Sequence, residues 1–178
     1  MPAELKVKAG QTVEFKCHAD GDPKPSVQWR RDEKQRIPFG RARQLDDGTL
    51  RIEKVQISDK GVYVCVAENI AGRVEAVGKL MVETEPSFLI SPKDVTVAVG
   101  RTAVLQCVAT GNPKPTVFWN IGDNRKLVFA NQPFENFEMS TDGTLRIHDV
   151  TFDNQGTYTC KALNVLGKSN RTATVTVL

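Results

Sequence analysis

The residues able to do chemistry are few. Cys17, Cys65, Cys107 and Cys160 are the only thiols, and His18 and His148 the only imidazoles. Such groups could hold zinc, but structural zinc sites draw cysteines from close pairs such as C-x-x-C, and these four stand tens of residues apart. The two histidines fall on outward strand positions in different halves of the chain. Asp46-Asp47 invites comparison with a metal site, yet it reads more simply as a polar turn ahead of DGTLRI. HExxH, GxSxG, the P-loop and the Gly-rich dinucleotide fingerprint are all missing from the sequence. The expectation is therefore no enzyme, no cofactor and no metal, with the thiols used as disulfides in an oxidising compartment.

The elements that hold these cysteines come in duplicate. Gly61 to Gly72 reads GVYVCVAENIAG and Gly156 to Gly167 reads GTYTCKALNVLG, with Gly, Tyr, Cys, Asn and Gly at identical offsets, 95 residues apart. Tyr and Cys two positions apart share one face of a strand, and that face is the core. The chain of 178 residues thus divides at about 1–84 and 85–178. Each half is small, and a covalent staple supplements a small core. Of the three possible connectivities the economical one is Cys17 to Cys65 and Cys107 to Cys160, one bridge per repeat.

In the first repeat LKV reads as a short edge strand, followed by TVEFKCHA with Val13, Phe15, Cys17 and Ala19 on one face. GDPKP punctuates the chain, and Val27 and Trp29 then point inward, Trp29 lying 12 residues after Cys17 so that it covers the bridge. Leu50 and Ile52 face inward, Asn69 to Gly72 forms a hairpin loop, and Gly78, Leu80 and Val82 share the last inward face. The second repeat has GNPKP for GDPKP and places Trp119 12 residues after Cys107. TEPSF leaves almost no linker, so the two domains are expected to abut. The repeat breaks in one segment: Trp119 to Asp142 is five residues longer than Trp29 to Asp47.

Two cysteines bracketing a tryptophan, a tyrosine two residues before the second cysteine and about seven short strands per repeat resemble the immunoglobulin sandwich. The A-x-N-x-x-G hairpins at Ala67 to Gly72 and Ala162 to Gly167 are similar to the I-set. The fold class is therefore all-β, two tandem I-set immunoglobulin-like β-sandwiches. Asn154, standing where the first repeat has Asp59, departs from the pattern and is expected to weaken a local charge pair.

VAVGRTAVLQCVATGNPKPTVFW, KLVFANQP and ALNVLG resemble the fourth immunoglobulin domain of the Roundabout axon-guidance receptors. GDPKPSVQWR and GVYVCVAENIAG are similar to that family's third. The resemblance implies the extracellular part of a single-pass plasma-membrane receptor for secreted Slit, with Slit bound through neighbouring domains and this pair acting as a semi-rigid spacer. The alternatives are the immunoglobulin pair of a DCC-like or receptor-phosphatase ectodomain, or an extracellular-matrix I-set array. Muscle cytoskeletal arrays fit less well, because cytosolic domains seldom keep bridging cysteines. Neither a signal peptide nor an apolar run of membrane-spanning length is present, and Met1-Pro2 reads as a cut into a longer chain. A net charge of +3 is too small to argue for nucleic acid.

Three surface expectations follow. Asn170-Arg171-Thr172 is the only N-x-S/T sequon, and Asn170 alternates with the inward Ala173, Val175 and Val177. Arg30, Arg31, Lys34, Arg36, Arg41 and Arg43, set against Asp32 and Glu33, could meet heparan sulfate; a solvated edge that deters aggregation is the plainer reading. The longer segment of the second repeat holds Leu127, Val128, Phe129, Phe134 and Phe137. Leu127 and Phe137 are the inward candidates, and Phe129 and Phe134 are candidates for receptor self-association.

Overall fold

The structure, a computed structural model, describes residues 4–32, 35–123 and 126–178. The chain separates into two compact units, Met1–Thr84 and Glu85–Leu178. The first contains β1 (Glu4–Lys8), β2 (Val13–Phe15), β3 (Ser26–Arg31), β4 (Ala42–Gln44), β5 (Leu50–Ile52), a 3-10 turn (Ile57–Asp59), β6 (Gly61–Asn69) and most of β7 (Gly72–Ile90), whose last residues, 85–90, belong to the second unit. One sheet has the order β1-β7-β6-β3 and the other β2-β5-β4. β1 runs parallel to β7, with Leu5 opposite Leu80 and Val7 opposite Val82, so alternate residues of both strands turn toward the core. Phe15, Leu50, Ile52, Val55, Tyr63, Leu80 and Val82 fill that core between the sheets.

The second unit holds β8 (Val95–Val97), β9 (Ala103–Leu105), β10 (Val108–Asn112), β11 (Thr116–Ile121), β12 (Lys126–Val128), β13 (Phe137–Met139), β14 (Leu145–Ile147), a 3-10 turn (Phe152–Asn154), β15 (Gly156–Asn164) and β16 (Gly167–Val177). Its sheets have the orders β12-β11-β15-β16-β8 and β13-β14-β9, and β10 pairs with β7. Extra length after Trp119 supplies β12. That strand adds to the edge of β11 with Val128 opposite Trp119 and Leu127 opposite Asn120. Directly opposed residues share a face, so Val128 is fully buried and Leu127 is 42% exposed. The inward position is therefore that of Val128 and not Leu127. Phe137, at 3% exposure, is in the core.

Each unit carries a disulfide between its sheets, Cys17 to Cys65 and Cys107 to Cys160. Trp29 donates its indole N–H to the Gly48 carbonyl at 2.7 Å and Trp119 to that of Gly143 at 2.8 Å. The DGTL turn is thereby tied to the tryptophan strand. Trp119 is fully buried, whereas Trp29 is half-buried at a small crevice lined in part by Ala76 and Gly78. Small residues on β7 leave that indole uncovered.

The A-x-N-x-x-G motif has a mechanical role. Asn69 donates to the Pro23 carbonyl at 2.9 Å and accepts from the N–H groups of Ala71 and Gly72. Asn164 likewise donates to Pro113 at 2.9 Å and accepts from Leu166. One side chain closes the hairpin and holds the neighbouring proline loop, in which Asp22-Pro23 and Asn112-Pro113 are cis.

Candidate interaction surfaces

The sequence cannot show how the cationic segment of the first unit is divided. Arg31 ends β3 opposite Tyr63 and is buried. Its guanidinium lies 5.0 Å from the Tyr63 ring centre and donates to the carbonyls of Lys60 at 2.7 Å, Ser58 at 3.3 Å and Arg36 at 3.3 Å. Arg41 grips both carboxylate oxygens of Asp59, at 2.5 and 2.7 Å, and also donates to the Lys54 carbonyl. These two arginines hold the fold together and are turned away from an anionic partner. Five donors in a planar fork suit a guanidinium to several carbonyls or to a whole carboxylate, and the terminal nitrogens of both arginines are used inside the domain.

The remaining cations are dispersed. Arg30 is half-exposed and reaches Glu75 at 3.5 Å. Arg36 and Arg43 are exposed, and Lys34 lies outside the described residues. Of the six, the exposed cations among the described residues are thus Arg30, Arg36 and Arg43, with Arg30 and Arg43 on strands of different sheets.

Burial pushes the Asp59 carboxyl up, but the hydrogen bonds from Arg41 and the Gln56 N–H, with the charges of Arg41 and Arg31, outweigh it and hold Asp59 below the ordinary carboxylate value. Its hydrogen bond to Asp59 raises Arg41. Tyr63 donates to the Asp59 carbonyl at 2.6 Å and Tyr158 to that of Asn154 at 2.5 Å. Burial pushes both phenols to about 12. At the head of the DGTL turns, Asp47 accepts from the Thr49 N–H and Asp142 from the Thr144 N–H, and these bonds hold both carboxyls down. Asp47 therefore works as a turn residue.

On the second unit, Phe129 is 37% exposed and stacks on Phe118 with ring centres 5.4 Å apart. Phe134, 39% exposed, stacks on Phe137 at 6.5 Å. Both side chains remain more than a third exposed. Asn170 is exposed on β16 opposite Lys161. His18 is exposed beside Asp20, and His148 is half-buried, 3.3 Å from Glu138.

Residues 1–82 and 86–177 each match the model of the immunoglobulin I-set domain. Roundabout homolog 1 of Homo sapiens is 44% identical over 169 residues, which span 93% of this chain and 10% of that protein. A peroxidasin homolog of Mus musculus is 37% identical over 182 residues, spanning 99% of this chain and 12% of that one. The chain thus covers about a tenth of the length of the curated relatives it matches. Among solved structures, extracellular domains 3–5 of Drosophila OTK align with a TM-score of 0.63 at 28% identity, covering 99% of this chain and 60% of theirs. With both repeats matched and both built as disulfide-stapled, tryptophan-covered sandwiches, the chain belongs to the immunoglobulin I-set family.

Proposed function

We propose that this chain is a non-catalytic extracellular module of a Roundabout-type axon-guidance receptor, corresponding to that family's third and fourth immunoglobulin domains. The observation that carries the reading is 44% identity to Roundabout homolog 1 across nearly the whole chain, ahead of the 37% to the peroxidasin homolog. Its role is that of a semi-rigid spacer positioning neighbouring domains that bind Slit. The short Thr84 to Phe88 junction supports it, with Pro86 restricting the backbone there. Asn170 carries a glycan in the secretory pathway, Arg36 and Arg43 give a weak heparan sulfate contact, and Phe129 and Phe134 give a weak contact with a second receptor chain. The last rests on two aromatic faces each more than a third exposed.

The test is the affinity of immobilised chain for Slit, beside that of the full receptor and of a receptor lacking residues 1–178. The chain alone should show no submicromolar binding, and the deleted receptor should bind Slit but signal poorly. Submicromolar binding by the chain alone, or undiminished signalling after the deletion, overturns the spacer role.

A further inference from the structure

Asn170, Lys161 and Phe118 lie in one row across three neighbouring strands. Asn170 on β16 is directly opposite Lys161 on β15, and Lys161 is directly opposite Phe118 on β11. Directly opposed residues share a face, and this face is the outer one, because Trp119 beside Phe118 and Ala162 beside Lys161 are buried on the other. With neighbouring strands about 4.8 Å apart, Phe118 stands about 10 Å across the sheet from Asn170. Phe129 stacks on Phe118 with ring centres 5.4 Å apart and is 37% exposed. The adjoining row on the same face is polar: Asn120, Thr159 and Thr172, with the two threonine hydroxyls 3.2 Å apart. In the first unit the row equivalent to Phe118, Lys161 and Asn170 is Gln28, Val66 and Glu75, which has neither an aromatic ring nor a sequon.

An aromatic stack beside a row of hydroxyl and amide groups is a surface suited to carbohydrate. A pyranose ring has a face of C–H bonds, which packs against an aromatic ring, and a rim of hydroxyls, which need hydrogen-bond partners. Asn170 heads the sequon Asn170-Arg171-Thr172 and is exposed. Arg171, between the two sequon residues, turns to the other face and lies 5.0 Å from the Phe88 ring centre, so it leaves the outer face clear. Lys161, half-buried between Asn170 and Phe118, offers an apolar stem under a sugar and a charged donor at its edge. In the transfer, the Asn170 amide nitrogen bonds to the anomeric carbon of a lipid-linked oligosaccharide, the lipid pyrophosphate leaves, and the nitrogen gives up one proton.

We propose that the first sugars of an oligosaccharide on Asn170 lie back over Lys161 and pack on the Phe118 and Phe129 stack. This packing rests on the Asn170 glycan and the Phe129 contact proposed above, and it makes the two exclude each other. A glycosylated chain has the outer face of its second unit covered, and only a chain without the sugar presents Phe129 to a second receptor chain.

The experiment uses the 178-residue chain secreted from eukaryotic cells with isotope-labelled sugars. Its intact mass before and after peptide-N-glycosidase treatment establishes whether Asn170 is occupied; an unshifted mass overturns the glycan itself, and the packing with it. On the occupied chain, NMR cross-peaks are expected between the acetyl methyl groups of the first N-acetylglucosamines and the Phe118 and Phe129 rings, with those methyls displaced upfield by ring currents. Phe129→Leu, which keeps an apolar side chain and removes the ring, should return them toward the free-sugar position. Methyls at the free-sugar position with no cross-peaks, on an occupied Asn170, overturn the packing alone. Thr172→Ala removes the sequon at an exposed position, and that chain should self-associate about tenfold more tightly in sedimentation than the glycosylated one. Equal, measurable association overturns the exclusion. A Thr172→Ala chain that stays monomeric overturns the Phe129 contact instead, and the cross-peaks then decide the packing.

Discussion

Asn136 donates to Asn154 Oδ1 at 2.9 Å, and the two residues stand 18 positions apart, the separation at which Arg41 grips Asp59 in the first unit. Asn154 takes over the helical-turn role as well, accepting from the Thr151 N–H as Asp59 accepts from that of Gln56. The change from Asp59 to Asn154 is thus half of a matched exchange: an ion pair in one unit is an amide pair in the other.

The exchange predicts a difference in acid stability. Asp59 has a lower pKa folded than unfolded, so its contribution is complete above the unfolded value of about 4 and is lost as pH falls through the folded value. Hydrogen exchange on the intact chain, followed from pH 6 to 2, should show protection falling in residues 4–84 before residues 85–178. Simultaneous loss in both units would contradict this.

A double-mutant cycle tests the pairing itself. Arg41→Asn or Asp59→Asn alone should destabilise the first unit by about 2 kcal/mol, since each leaves a partly buried charge unmatched. The two together import the amide pair and should recover about 1 kcal/mol of the summed loss. Strict additivity in urea unfolding would deny the coupling.

Alkaline titration offers a clean reading because Tyr63 and Tyr158 are the only two tyrosines in the chain. Each phenol has a raised pKa, so the stability it contributes is fully present below about 10 and is lost as pH rises through about 12. Tyrosinate absorbance at 295 nm should stay low through pH 11 in the folded chain and appear near pH 10 in urea. A folded-state midpoint near 10 would show that the corners are open.

Two glycines carry the DGTL turn. Gly48 has φ +94° and Gly143 φ +103°, and a methyl group on either would collide with the carbonyl oxygen of Cys17 or Cys107. Gly48→Ala and Gly143→Ala should each lower stability by more than about 2 kcal/mol, combining backbone strain with the clash. Gly100→Ala has positive φ and open space, and should cost only about 1 kcal/mol. Thermal unfolding of the three variants orders them; equal losses would leave the close approach without consequence.

The cationic segment separates two roles. Arg36→Glu with Arg43→Glu should elute earlier from heparin while keeping the wild-type melting temperature. Arg31→Glu should unfold the first unit, because a buried guanidinium and three carbonyl contacts are lost together. Unchanged retention in the Arg36 and Arg43 variant removes heparan sulfate from this surface.

Local patterns determined the repeat, the inward faces of its strands and the sandwich they form, because alternation with period two and the Cys, Trp and Tyr spacings are properties of neighbouring residues. The hairpin asparagines and DGTL turns were legible for the same reason. Only the tertiary structure decided which arginines are surface: Arg31 and Arg41 look like their neighbours in sequence, and their partners, at Ser58 to Lys60, arrive from a distant part of the chain. Leu127 and Val128 were equally apolar, and the pairing of β12 with β11 chose between them. A cleft lined by Ile121, Asp153 and Gly156 was invisible along the chain, since only folding brings those walls together.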